Sequence, residues 1–226
     1  MAKKSINILV SIFYSVSVFA QTALDTTYKT TYYVQKVTLF RLLPNTKGEI
    51  IFLGNSITDI GEWSELWQNN RVKNRGISGD NTFGVLARLD EVTASKPAKI
   101  FIMIGINDIA KETPNSIIIA NYKKIISRIK IESPTTKIIV QSILPTNNYF
   151  SEFKRHQNKM EHVLFVNAIL ENYCEEIGLV YLDLYNSFLD ENKKLDKKCT
   201  NDGLHINGYG YMKWKQILVG KGLMKL

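Results

Sequence analysis

Four short segments hold the side chains able to do chemistry: Gly54-Asn55-Ser56-Ile57-Thr58-Asp59, Gly76-Ile77-Ser78-Gly79-Asp80, Gly105-Ile106-Asn107-Asp108 and Asp202-Gly203-Leu204-His205. Together they supply a serine, two donors suited to an oxyanion (the Gly79 amide and the Asn107 carboxamide), and an aspartate just ahead of a histidine. Ester hydrolysis through an acyl-enzyme requires that inventory. Any one of these motifs alone recurs by chance. Four in this order, three of them directly after an apolar strand-like run, form a specific signal.

Each residue also has a plainer reading. Ser56 leaves an apolar run through Gly54, where a serine commonly caps a helix; the other three segments favour a nucleophile. The base is narrowed by elimination. Of the three histidines, His156 and His162 lie in a charged stretch beside Lys154, Arg155, Lys159 and Glu161, which reads as a solvated helix surface. His205 lies in a loop where Asp202 can turn back onto one ring nitrogen and leave the other for a serine. Asp202 alone could be a turn residue before Gly203, Gly79 a turn glycine, and Asn107 a brace for its own loop. Asp59, Asp80 and Asp108 are spread over three loops with no matching histidine, so they read as loop-bracing groups and not as a metal site.

These segments resemble the sequence blocks of the SGNH hydrolases, the GDSL esterase/lipase family, from about Glu49 to the C-terminus. The resemblance implies that Ser56 is the nucleophile, His205 the general base and Asp202 its orienting acid. It also implies that Gly79 and Asn107 donate to the oxyanion together with the Ser56 amide. One departure is visible: the family's Gly-Asp-Ser reads Gly54-Asn55-Ser56, which keeps size and hydrogen bonding but loses a charge. The run through Asp59, with Asn74 to Asp80, is similar to the family's secreted acylhydrolases, described as acetylhydrolases of lipid or sugar esters.

The elements that must position these groups alternate. Short Ile/Val-rich runs at Glu49–Leu53, Arg71–Asn74, Lys99–Ile104, Lys137–Gln141 and Leu179–Leu182 predict strands. Helical stretches are predicted at Tyr32–Leu43, Trp63–Gln68, Thr82–Ala94, Ser116–Glu132, Ser151–Glu176 and Gly208–Leu218. Such alternation predicts βαβ units and a five-stranded parallel sheet covered on both faces, an α/β three-layer α/β/α sandwich of flavodoxin-like shape. Ser56, Gly79 and Asn107 each follow a predicted strand, so they should gather at the carboxyl edge, where such sheets bind ligands. Trp63 and Trp67 could stack on a sugar ring or acyl chain, although core packing is the commoner role of such residues.

Residues 1–20 have the form of an export signal: Lys3 and Lys4, an apolar stretch from Ile6 to Phe19, and Val18-Phe19-Ala20 before Gln21. They point to a secreted or periplasmic protein. The expected organisation is then an N-terminal segment over 21–48, made of a polar, disordered lead-in at residues 21–30 and the Tyr32–Leu43 helix, and one catalytic domain over 49–226. The formal net charge is +8, but the basic residues are scattered, and no basic helix interleaved with aromatics suggests nucleic acid. Neither stable membrane insertion nor a cofactor is expected; the partner is a small-molecule ester, an acylated sugar or lipid. Cys174 reads as a small buried hydrophobe, and an oxidising compartment would also permit a bridge to Cys199. Three activities fit: a secreted esterase for short acyl groups, a sugar O-acyltransferase, and a carbohydrate-binding protein that keeps the fold without catalysis.

Overall fold

The computed structural model describes residues 24–225. The export signal expected over residues 1–20 lies outside them. In chain order the elements are α1 (Thr31–Leu42), β1 (Ile50–Gly54), α2 (Ser56–Asp59), α3 (Trp63–Leu66), β2 (Val72–Gly76), α4 (Thr82–Ala87), α5 (Leu89–Thr93) and β3 (Lys99–Met103), followed by α6 (Ile106–Ala110), α7 (Asn115–Glu132), β4 (Lys137–Gln141), α8 (Met160–Glu176), β5 (Val180–Leu182) and α9 (Gly208–Gly220). The five strands form one parallel sheet in the order β2-β1-β3-β4-β5. The α/β sandwich expected from the alternation is therefore the fold.

β1, β3 and β4 carry nearly continuous apolar runs because both faces of the sheet are covered there, whereas edge strand β2 carries Lys73, Asn74 and Arg75. Ile51, Leu53, Ile100, Ile102, Ile138 and Val140 point toward α4, α5, α7 and α8. The intervening Phe52, Phe101, Met103 and Ile139 point toward α3 and α9, against Trp63 and Trp214. Phe52 stacks between Trp63 and Phe101, with ring centroids at 3.8 and 4.9 Å. Trp63 and Trp67 both belong to this core, so neither is available to stack on a substrate. Cys174 and Cys199 are free thiols in the two different core layers, and the permitted bridge between them is not formed.

Three predicted segments differ. Residues 24–30, expected to be disordered, lie on the domain: the Thr27 carbonyl accepts from Asn81 and Lys111, and the Tyr28 ring packs edge-on against Tyr33. The helix predicted over Thr82–Ala94 breaks into α4 and α5 at Arg88, whose side chain turns inward to meet Asp80 and Glu91. The helix predicted from Ser151 begins only at Met160. Phe153 and Asn158, at φ 50° and 57°, stop it, leaving a single 3-10 turn at Lys154–His156 between them.

Strand order reverses at β1, which lies between β2 and β3. In parallel sheets the ligand-binding crevice lies at such a reversal, beyond the carboxyl ends of the strands.

Candidate active site

Ser56 stands at the first position of α2, immediately beyond β1. A side chain on Gly54 would run into the Thr58 side chain and the Met103 carbonyl, so glycine alone lets the chain leave the strand this tightly. Asn55 then caps the turn, its Oδ1 accepting the Ile57 N–H at 3.0 Å. This is what a neutral carboxamide can do as well as a carboxylate. Ser56 is 9% exposed, packed on most sides.

The loop before α9 brings the partner groups. Asp202 Oδ1 accepts the N–H groups of Leu204 and His205 at 2.9 and 2.8 Å, folding the loop back on itself. Its Oδ2 lies 2.7 Å from His205 Nδ1, and His205 Nε2 lies 2.9 Å from Ser56 Oγ. With a carboxylate on Nδ1, that nitrogen carries the proton and Nε2 accepts from the serine hydroxyl. Partial burial pushes the Asp202 carboxyl up, but the two amides and the imidazole outweigh it and hold the group below the ordinary carboxylate value.

The two expected donors lie just beyond β2 and β3. Gly79 is exposed with φ +80°, and the space where a Cβ would sit is open, so nothing crowds the backbone on that side. Asn107, 9% exposed, donates from Nδ2 to the Asp80 carbonyl at 2.8 Å, which leaves its second N–H free of that bond. The structure thus joins Ser56, His205 and Asp202 in one hydrogen-bonded chain and ties Asn107 to the residue after Gly79. This arrangement can take a proton from a hydroxyl and stabilise negative charge forming nearby.

The three aspartates brace these loops. Asp59 accepts from the Ser78 N–H and hydroxyl at 3.0 and 2.8 Å, from the Tyr32 hydroxyl at 2.7 Å, and pairs with Lys36 at 2.8 Å. It therefore fastens the Gly79 loop to both α2 and α1. Asp80 pairs with Arg88 at 2.9 Å; Arg88 also binds Glu91 and the carbonyls of Arg75 and Gly54. Asp108 accepts from the Thr82 hydroxyl at 2.6 Å. Burial pushes Asp108 up to about 6, against the pull of Thr82. Among the described residues no group of three or more His, Cys, Asp or Glu side chains gathers to hold a metal ion.

One site residue escaped the sequence reading. His162 is on the surface as expected, but His156 is not. Its Nε2 lies 2.9 Å from Asn107 Oδ1, and its ring is half-buried. The 3-10 turn, not a helix, carries it inward. Its charged neighbours hide this completely, since nothing in their pattern signals burial. Phe153, at the start of the same turn, sets its ring edge-on to His205, with centroids at 4.8 Å.

Residues 52–213 match the model of the GDSL-like lipase/acylhydrolase family. The chain belongs to that family. It is accordingly a carboxylic ester hydrolase by membership, in agreement with the SGNH resemblance of its four motifs. It is similar to the human platelet-activating factor acetylhydrolase IB subunit alpha2, 27% identical over 172 residues that cover 73% of this chain and 72% of the relative. A GDSL-like lipase from Bacteroides thetaiotaomicron superposes with a TM-score of 0.73 at 25% identity, covering 84% of this chain and 96% of the other. A catalytic mutant of an acetylxylan esterase from Geobacillus stearothermophilus shares the fold, with a TM-score of 0.60 and 20% identity over 79% of this chain and 95% of the other.

Proposed function

We propose that this family member is an exported serine esterase that removes a short acyl group, acetyl foremost, from a carbohydrate or lipid. The observation that carries the reading is the chain of contacts from Asp202 through His205 to Ser56 Oγ, at 2.7 and 2.9 Å. Ser56 attacks the ester carbonyl while His205 Nε2 takes the hydroxyl proton. The carbonyl oxygen becomes an oxyanion held by the amides of Ser56 and Gly79 and the Asn107 carboxamide. Asp202 holds the imidazole in the required tautomer and stabilises its charged form. His205 then gives the proton to the leaving alcohol, and water, activated by the same imidazole, releases the acid and frees Ser56. Because amides hold the oxyanion, activity is expected to survive EDTA.

One observation supports a short acyl group: the similar mammalian protein is named an acetylhydrolase. Export is read from residues 1–20, and the exported protein should begin near Gln21.

The test is hydrolysis of nitrophenyl acetate and of longer nitrophenyl esters. Acetate should be preferred, and Ser56→Ala should abolish turnover without lowering the melting temperature. Retained turnover in Ser56→Ala would remove the assignment, and a preference for long chains would remove the short-acyl reading. Acetylated sugars and acetylated lipids, tried in the same assay, then divide the two substrate classes.

A further inference from the structure

We propose that His156 is a positioning residue of the oxyanion hole, acting through Asn107. The proposal rests on the esterase reading above and names a component that its catalytic residues do not include.

The argument begins with the Asn107 carboxamide. The Asp80 carbonyl can only accept, so the group 2.8 Å from it must be the Asn107 NH2, which fixes the amide's orientation. Asn107 Oδ1 therefore faces His156 Nε2, at 2.9 Å. A carboxamide oxygen only accepts, so His156 must present a protonated Nε2. The other ring nitrogen agrees: Nδ1 is buried with no hydrogen-bond partner among the described residues. A proton there would be a stranded donor, whereas a bare lone pair is more easily left unpaired. Burial, and the neighbouring His205, lower the pKa of His156, so the ring stays neutral.

The carboxamide is thus held at both ends, by Asp80 through Nδ2 and by His156 through Oδ1. The remaining Nδ2–H is used by neither bond and is left for a developing oxyanion. A donor held before the reaction needs no reorganisation during it. Donation into Oδ1 also draws electron density from the amide nitrogen and strengthens its remaining N–H as a donor.

The chain has been bent to make this contact. Phe153 takes a left-handed conformation, φ 50°, at the start of the turn that delivers His156. Gln157 holds the turn closed, its Nε2 donating to the carbonyls of Phe150 and Glu152 at 2.8 Å each. This left-handed residue breaks the helical direction, and the turn that follows carries His156.

The experiment is a double-mutant cycle in the nitrophenyl acetate assay, with Ser56→Ala as the control that shows the esterase reading holds. His156→Ala should lower kcat by about 10- to 100-fold with KM little changed, less than the loss of about 10²–10³ expected for Asn107→Ala. In the Asn107→Ala background the same substitution should cost nothing further. His156→Gln, whose amide N–H reaches the same oxygen, should recover most of the loss. The tautomer is checked independently of activity and of variants by nitrogen NMR of the wild-type imidazoles: His156 should be protonated at Nε2 and bare at Nδ1. Unchanged kcat in His156→Ala, full additivity with Asn107→Ala, no recovery by glutamine, or an Nδ1-protonated ring would each overturn the proposal.

Discussion

Asp202 contributes geometry and charge through separate oxygens: Oδ1 holds the loop amides of Leu204 and His205, and Oδ2 holds the imidazole. Asp202→Asn keeps an acceptor for the amides but brings an NH2 to the imidazole, which favours the wrong tautomer. Steady-state kinetics should show kcat falling by roughly 10⁴-fold, as when the orienting acid of a serine triad is neutralised. Adding His205→Ala should cost far less than the product of the two single losses, because the pair acts as one unit. Most residues of this site were legible from the chain alone, because Ser56, Gly79, Asn107, Asp202 and His205 each sit in a short local motif. His156 was not. Its role depends on contact with a residue far away in sequence, and its neighbours Lys154 and Arg155 are exposed, as a surface helix would show them. Only the left-handed Phe153 and Asn158 separate the two cases, and a sequence does not display backbone angles.

At the scale of the elements, the site depends on a buried charge cluster behind it. Arg88 is fully buried and joins Asp80, Glu91 and the end of β1 through the Gly54 carbonyl. Arg88→Met would leave two carboxylates buried without their common partner. Urea denaturation should show a loss of about 3–5 kcal/mol. This cluster also explains why the stretch predicted as one helix over Thr82–Ala94 is two. Helical periodicity reports which residues are apolar, and Arg88 is a cation turned to the inside. Strands β1, β3 and β4 were read nearly to the residue, since both faces of the sheet are buried there and their apolar runs are almost unbroken, whereas the polar edge strand β2 runs two residues past its expected end at Asn74. The pH response follows from the same layer. Burial raises Asp108 from 3.8 to about 6, so the folded state binds its proton more tightly than the unfolded chain. Its contribution to stability is present in full below pH 3.8 and is lost as pH rises through about 6. Urea midpoints measured across that interval should fall with pH in the wild type, and less steeply in Asp108→Asn. Asp202, held below its ordinary value, works in the opposite sense. Its contribution is present above pH 3.8 and fades in more acidic solution.

For the whole molecule, stability rests on packing about a covered sheet with no covalent cross-link between the two cysteines. Cys174 lies in the layer with α7 and α8, and Cys199 in the layer with α9. A reducing agent should therefore leave the melting temperature unchanged, and thiol titration in denaturant should find both cysteines free. A lowered melting temperature on reduction would mean that the two layers are linked after all. The α1 helix is likewise part of the working molecule. Lys36 and Tyr32 hold Asp59, and Asp59 holds the loop that carries Gly79. Its role was outside the reach of the motif reading, which began at about Glu49. The helix itself was visible there because Tyr33, Val37 and Phe40 repeat at helical spacing, and these three bury together against Ile77.

The central claim is that Ser56 is the nucleophile of an acyl-enzyme. The most direct measurement is covalent capture with a fluorophosphonate, followed by digestion and mass spectrometry of the labelled peptide. The account predicts one adduct, on Ser56, that forms together with loss of esterase activity, is absent in Ser56→Ala, and is strongly slowed in His205→Ala. An adduct on a different serine, with Ser56 unmodified and activity lost, would contradict it.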